Sequence, residues 1–444
     1  MDTVRLILML SLAMAGMMLW QAWEQDYGQA PAQPAAVPAE TGTGSQATGV
    51  PSLEEGELLE VTPASAVSLM DRDGRVTVRT DVLKLEIGLR GAGIRRAELQ
   101  AYPVSLDRPD QPFVLMDDAG QEVYIMQAGL RSNGPAPTHE DLFHSDHTEY
   151  NLAPAADSLT VPMTWQSGGV SITKTYTLQR GSYEIVVKYE IRNDSGATWQ
   201  GRSYAQIQRS DPGRTGRRLV YTYTGVVLSS PETRYEKIDF DELREQDQKR
   251  DIANGWLAML QHYFVTALVP ASSISIYRYY TNELSGDRFV AGLWSPAVTA
   301  EEGSAVTIEE RIYIGPKIQE VLAAVADGLE LTVDYGALWF IAKPLFWCLQ
   351  RFHEITGNWG FAIILVTILV KLLFYHLSAA GFRSMANMRR VQPRMKALQE
   401  RFKNDRTRLN QAMMQIYKEE KINPFGGCLP IVIQIPVFIA LYWV

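Results

Sequence analysis

The chain alternates between long apolar runs and segments of quite different rhythm. From Leu6 to Trp23 apolar residues follow one another almost without a break, with Arg5 before them and Glu24 and Asp26 after. That length fits a membrane span with its N-terminus inside. A cleaved signal peptide is the alternative, but the small-residue pattern Ala13-Met14-Ala15 lies within the apolar core rather than behind it. Residues 1–24 are therefore expected to be an uncleaved transmembrane anchor. Residues 25–64 are rich in Ala, Pro, Gly and Thr and hold too few large apolar side chains to bury a core, so they are expected to be a flexible linker.

From Val67 to about Ile314 the period shifts to two. Val76-Thr77-Val78-Arg79-Thr80, Leu83-Lys84-Leu85-Glu86-Ile87, the run from Val170 to Tyr176 and the run from Ile185 to Ile191 alternate or nearly alternate, with Gly, Asn and Asp turns between them. Many short strands without intervening helices predict an antiparallel sandwich, assigned to residues 65–330. The segment 337–353 is dense in Trp339, Phe340, Phe346, Trp347 and Phe352 and is interrupted by Pro344. It is too short to span and is expected to be an interfacial helix lying along a membrane, with a buried helix of the sandwich as the alternative.

The segment 358–380 is apolar from Gly360 to Val370 and again from Leu372 to Phe374, and it carries Lys371 inside it. About 20 helical residues cross a hydrocarbon layer of about 30 Å, so this is expected to be a transmembrane helix. With the bilayer beginning near Trp359, Lys371 lies roughly 18 Å down the axis, beyond the midplane. A lone ammonium at that depth costs several kcal/mol on the order of insertion or simulation scales, unless water, a partner or a headgroup reaches it. Thr367, Lys371, Tyr375 and Ser378 recur at spacings of 4, 4 and 3 and are expected to share one face, lining a polar cavity in the membrane. A structural tie to a carboxylate on another helix, or a route to the interface through local thinning, are the competing explanations of the charge.

Residues 381–422 are charged, helix-prone and methionine-rich, and are expected to form a helical hairpin turning at Asn404-Asp405. A second apolar run at 425–444 holds Gln434, Pro430 and Pro436, whose freed polar groups require helix neighbours rather than lipid alone. It stops without a polar flank, so the natural chain is expected to continue beyond it.

Charge orients these parts. The 444 residues carry a net charge of −8, but Glu24 to Asp334 holds 44 acidic and 27 basic residues, whereas Gly381 to Lys421 holds 11 basic and 4 acidic. Short basic loops stay in the cytoplasm, so the hairpin is inside and the sandwich outside. Arg389, Arg390, Arg394 and Lys396 are suited to ribosomal RNA or anionic headgroups, and Met385, Met388, Met413 and Met414 supply adaptable apolar contact. Packing within the hairpin and topology alone are the plainer explanation of both. Catalytic motifs are missing: the sequence has no phosphate loop, no nucleophile elbow and no H-E-x-x-H. His139, His144 and His147 read as a polar surface loop rather than a metal site, and Glu301-Glu302 and Glu309-Glu310 as solvated strand ends. No cofactor or metal is called for. Cys348 and Cys428 fall in or beside apolar segments, so the outer domain has no disulfide framework.

The anchor, the acidic outer β-domain, Leu331-Thr332-Val333-Asp334-Tyr335-Gly336, Gly357-Asn358-Trp359-Gly360, Gln392-Pro393 and Asn423-Pro424-Phe425-Gly426-Gly427-Cys428 together resemble the YidC/Oxa/Alb family of membrane protein insertases. The resemblance implies a multi-domain membrane protein of the Gram-negative type, with a periplasmic β-supersandwich and an α-helical insertase core of five helices, one seen fully here and one in part. In that family a positive residue of the first core helix sits in a hydrophilic groove open to cytoplasm and lipid. Lys371 looks like its counterpart, where many members carry Arg, and His376 stands where many carry Pro. Together with the face read from spacing, the expected groove residues are Lys371, Thr367, Tyr375, Ser378 and Gln434. The implied partners are nascent inner-membrane proteins, the Sec translocon, the ribosome and the bilayer, with no DNA, in the bacterial inner membrane. Two other classes of function stay open on the residues alone. One is a membrane-anchored periplasmic sugar-binding or carbohydrate-processing module, and the other is an ion or solute transporter using the intramembrane lysine.

Overall fold

Val76 and Val78, then Leu83, Leu85 and Ile87, bury every second side chain while their neighbours face outward, and Val170–Gln179 and Glu184–Asn193 do the same over longer stretches. Period-two burial of β-branched and aromatic residues is what a half-covered sheet requires. The computed structural model describes residues 74–443 apart from 106, 120–121, 214–222, 273, 336–337, 403–405 and 421–428. The predicted anchor, the linker, the Asn404-Asp405 turn and the Asn423-Pro424-Phe425-Gly426-Gly427 motif lie outside the described residues.

The strands form two sheets packed face to face. One has 8 strands, from Ser158–Ser167 at one edge through Val170–Gln179, Glu184–Asn193, Ser304–Pro316, Phe264–Pro270, Trp256–Leu260 and Gly225–Ser229 to Glu236–Ile238. The other has 11, centred on Trp199–Ser210 and Tyr124–Ser132. Among the described residues pairing is antiparallel except where Arg75–Arg79 meets Glu149–Asn151 in parallel. One continuous core joins the inner faces, including the fully buried Trp199, Trp256 and Tyr189. A six-residue helix α1 (Phe240–Glu245) interrupts the strands, capped by the Asp239 side chain on the Glu242 N–H. Helix α2 (Gln319–Val325) and a 3-10 turn at Leu329–Thr332 bury Leu322, Val325 and Leu329 and lead out of the domain.

Two expectations fail inside this domain. Glu310 is not a solvated strand end: it faces the interior opposite Val187 at 4% exposure, and neither carboxylate oxygen has a hydrogen-bond partner. His139 is not on the surface either. Its Nδ1 lies 2.8 Å from the Tyr204 hydroxyl, which also accepts the His139 N–H at 3.0 Å, and the residue is buried. His144 and His147 remain at the surface, and the described residues contain no cluster able to hold a metal ion. In both cases the residue type suggested solvent, but the strand register or the Tyr204 hydroxyl decided.

Glu310 shares the interior with Lys174, also fully buried. The Lys174 ammonium crosses from its sheet to donate to the carbonyls of Gly91 and Ala92 at 3.2 and 2.8 Å, and sits 5.3 Å from the ring centres of Tyr176 and Tyr189. Burial pushes the lysine down from its ordinary value and the glutamate up, and each charge partly offsets the shift of the other. Removing Lys174 leaves the buried Glu310 carboxyl without the charge that partly offsets its burial and the Gly91 and Ala92 carbonyls without a donor, while removing both charged groups spares the first cost. Lys174→Met is expected to lower the unfolding free energy of the sandwich by about 1–3 kcal/mol, and Lys174→Met with Glu310→Leu to recover part of it, as read from urea unfolding midpoints.

Beyond the sandwich the described residues form five helices: α3 (Trp339–Thr356), α4 (Trp359–Leu373), α5 (Tyr375–Arg401), α6 (Arg406–Glu419) and α7 (Leu429–Trp443). Pro344 does not break α3 as expected; the helix continues through it to Thr356, past the predicted end at 353. At the sixth position of α3 this proline forfeits one hydrogen bond and crowds the Phe340 carbonyl, a cost offset by the packing of Ala342, Leu345 and Phe346 against neighbouring residues. Among the described residues no single helix is long and apolar enough to cross a membrane. The bent pair α4 and α5 passes that test together, and α7 is a shorter apolar helix.

Candidate functional site

The turn between α3 and α4 is written in two residues. Gly357 takes φ 63°, the left-handed conformation that ends a helix, and its N–H donates to the His353 carbonyl. Asn358 then caps α4, its side-chain oxygen accepting from the N–H groups of Gly360 and Phe361 at 2.8 and 3.3 Å. His353 and Trp359 stack across the turn with ring centres 3.8 Å apart. The turn folds α4 back on α3, and Ala362, Val366 and Val370 bury themselves at successive spacings of 4 against Leu349. Phe346 and Phe352 of α3, and Val437 and Leu441 of α7, complete the cluster.

Thr367 and Lys371 each follow a member of that buried stripe by one residue, so packing of the stripe sets where they point. Lys371 is exposed, makes no ion pair among the described residues, and holds its ammonium 5.0 Å from the ring centre of Phe438 on α7. One turn earlier on α7, Gln434 donates from Nε2 to the Ser378 hydroxyl of α5 at 3.3 Å. Lys371, Ser378, Gln434 and Phe438 thus line the junction of three helices. Phe438 is the member that sequence reasoning missed, although its position four residues after Gln434 on an apolar helix was a usable signal.

The predicted single helix over 358–380 is corrected here. It breaks at Phe374, where α4 and α5 meet at 62°. Phe374 has φ −90° and ψ 9°, and its N–H is shared between the carbonyls of Val370 and Leu372. No proline or glycine marks the place; Phe374 instead packs on the Leu349 cluster, which draws the chain inward. The break removes Tyr375 and Ser378 from the helical face of Thr367 and Lys371. Tyr375 stands exposed beside His376, and Thr367 donates its hydroxyl to the Ile363 carbonyl at 2.8 Å. Of the five predicted groove residues, the structure brings Ser378 and Gln434 into contact, sets Lys371 against Phe438 and keeps Thr367 one turn from Lys371 on α4, while the break at Phe374 takes Tyr375 off that face.

Helices α5 and α6 pair antiparallel through a small core of Val391 and Met395 with Met388, Met413, Ile416 and Tyr417. Met388 and Met413 are therefore packing residues, while Met385 and Met414 are exposed. Arg389, Arg390 and Lys396 face outward, and Arg394 pairs with Glu420 at 2.7 Å. The Arg394 side chain is 70% exposed, so this pair contributes less than about 1 kcal/mol. Val391→Asp is expected to speed backbone amide exchange across α6 by about tenfold or more, equivalent to about 1.4 kcal/mol, with Arg394→Ala changing it less than about threefold.

Comparison with known proteins bears on the whole chain. Residues 75–348 match the family model described as the YidC periplasmic domain, and residues 351–444 the one described as 60Kd inner membrane protein. The two together define an inner-membrane protein with a large periplasmic domain. The chain is 44% identical to the membrane protein insertase YidC of Thioalkalivibrio sulfidiphilus over all of its length and 82% of that protein, and 43% identical to that of Methylococcus capsulatus over all of its length and 81% of that one. It belongs to the YidC family of membrane protein insertases. A galactose mutarotase related enzyme of Lactobacillus acidophilus resembles 54% of the chain over 97% of its own length, at 9% identity and a TM-score of 0.38, a likeness too slight to support an argument.

Proposed function

We propose that this protein inserts newly made proteins into the bacterial inner membrane through a polar groove at the junction of α4, α5 and α7. What supports the reading is kinship with insertases along the full chain, joined to one observation: Lys371, on an apolar helix, is exposed and has no carboxylate partner among the described residues. The reading is of a binding and transfer device, not an enzyme, and no step of it needs a bond made or broken. Full-length kinship with insertases favours it over a sugar-binding or carbohydrate-processing module.

The physical problem for an insertase is the polar tail ahead of a substrate helix. Each Asp at the bilayer centre costs about 2.5–3.5 kcal/mol, whereas each Leu or Ile entering hydrocarbon returns about 0.3–0.6 kcal/mol. An ammonium held partway through the layer lowers the first cost, and the apolar helix then leaves sideways into lipid. In the resting groove the Phe438 ring faces the Lys371 ammonium with its negative π-face, a weak partner that an arriving carboxylate replaces. Gln434 and Ser378 keep the adjoining wall polar.

The same reading places the N-terminus and the α5–α6 hairpin in the cytoplasm and the sandwich in the periplasm, by the charge asymmetry of the chain. The hairpin receives substrates at Met385 and Met414, and Arg389, Arg390 and Lys396 meet ribosomal RNA or anionic lipid. The protein acts alone or beside the Sec translocon.

Lys371→Glu is expected to reduce insertion of a substrate with acidic residues in its translocated tail by about tenfold in reconstituted vesicles, which corresponds to about 1.4 kcal/mol. A neutral-tailed substrate should change less than about twofold, and Lys371→Arg should retain activity. Equal loss for both tails, or no loss for either, contradicts the electrostatic role.

A further inference from the structure

One end of the sandwich carries apolar side chains that its core does not use. Where Ser304–Pro316 ends and Phe264–Pro270 begins, the Lys317 N–H donates to the Tyr263 carbonyl at 2.9 Å, which sets Tyr263 beside Ile318. Tyr263 is 69% exposed, and Ile318, Val321 and Leu331 are exposed as well. Ile318 and Val321 lie three residues apart at the start of α2, while Leu322 and Val325 of the same helix are the buried members. Leu331 belongs to the 3-10 turn that Lys317 holds from the other side, its ammonium donating to the Thr332 carbonyl at 3.4 Å. Burial and the neighbouring Lys237 push that lysine down to about 8, with Asp334 acting the other way. An aromatic with a polar tip and three branched aliphatics thus project from the same end of the domain.

What lies next to this end is fixed by the chain. Asp334 is ion-paired with Lys237 of the strand Glu236–Ile238, and α3 begins five residues later at Trp339. Five extended residues reach no farther than about 18 Å. The exposed stripe of α3 reads Trp339, Lys343, Trp347 and Arg351 at successive spacings of 4, and the Arg351 guanidinium lies 5.7 Å from the ring centre of Trp347. Tryptophans alternating with cations along one face suit the headgroup level of a bilayer, where the ring is half in hydrocarbon and the charge meets phosphate.

We infer that the end of the sandwich formed by Tyr263, Ile318, Val321 and Leu331 rests on the outer leaflet of the membrane, continuing the lipid contact of the α3 stripe. The inference rests on the reading of α3 as a helix lying along the membrane. The occupant is lipid because the tether at Asp334 keeps this end within reach of the α3 stripe, and because a tyrosine and three branched aliphatics match the interfacial zone, with Glu320 and Glu330 of the same elements at its polar edge. Two attachments, the Lys237–Asp334 pair and the lipid contact, would then hold the sandwich over the groove and restrict its tilt.

Single cysteines at Ile318, Leu331, Trp347 and Ile274, in a chain with Cys348 and Cys428 replaced by Ser, test this. Each is labelled with a thiol-reactive fluorophore in the full-length protein. The protein is reconstituted in vesicles of phosphatidylethanolamine and phosphatidylglycerol, with and without a phospholipid bearing a nitroxide at a shallow acyl position. Ile274 is 88% exposed but lies beyond the opposite end of the strand Phe264–Pro270. At seven residues that strand places it about 20 Å or more away. The expected result is at least about twofold quenching at Ile318 and Leu331, comparable to that at Trp347 and absent at Ile274. Quenching at Trp347 alone overturns the inference and leaves the placement of α3 standing; no quenching at Trp347 overturns that placement and the inference together. Labels at Ile318 and Leu331 that escape both the nitroxide and aqueous iodide point to a protein cover instead, and overturn the inference as well.

Discussion

The helical region depends on the contact of Val366 and Val370 with Leu349, Val437 and Leu441. This contact decides which way α4 is rotated, and rotation decides where its single charge goes. One residue after Val370, Lys371 lies beside the buried seam rather than in it, so its ammonium faces the Phe438 ring instead of a dry interior. A helix rotated by one residue would bury the lysine, at a cost that no carboxylate among the described residues offsets. The Gly357-Asn358 turn supports the same geometry from outside, since a left-handed residue followed by a capping side chain lets α3 and α4 fold back on one another within two positions.

The sandwich meets a related problem with a different solution. Lys174 and Glu310 bring charge into an interior that would otherwise be aliphatic and aromatic, and Lys174 reaches across to backbone carbonyls of the facing sheet. Tyr124 and Arg209 do likewise, bonding to Thr266 and to the Leu260 carbonyl at 2.8 and 3.1 Å. Hydrophobic burial brings two sheets together without choosing their relative slide, whereas directional bonds between named atoms do choose it. The described part of the protein thus places polar groups at the boundaries between layers in both its halves.

Architecture and family were legible because they rest on long, redundant patterns. Twelve or more alternating residues across Val170–Tyr176 and Ile185–Ile191 establish strands whatever any single residue does, and a lysine inside an apolar run signals a site by its cost alone. The candidate site was legible only in part. Lys371, Ser378 and Gln434 were visible as polar exceptions to apolar runs, but Phe438 was hidden because an aromatic residue in an apolar helix is no exception. The break at Phe374 was hidden for the same reason, since helix breaks are expected at proline or glycine and this one comes from a side chain drawn into a neighbouring cluster.

The sequence by itself determined the layout: a period-two domain of net negative charge, an apolar stretch with one ammonium, and a basic hairpin, because period, length and charge are local properties of the chain. Tertiary structure alone decided that Glu310 and His139 are interior, that Met388 and Met413 pack while Met385 and Met414 face outward, and that Tyr375 parts company with Thr367 and Lys371 at the Phe374 break. Those outcomes depend on which residues from distant positions arrive at the same place, and burial, hydrogen-bond satisfaction and helix bending take their values only once those neighbours are present.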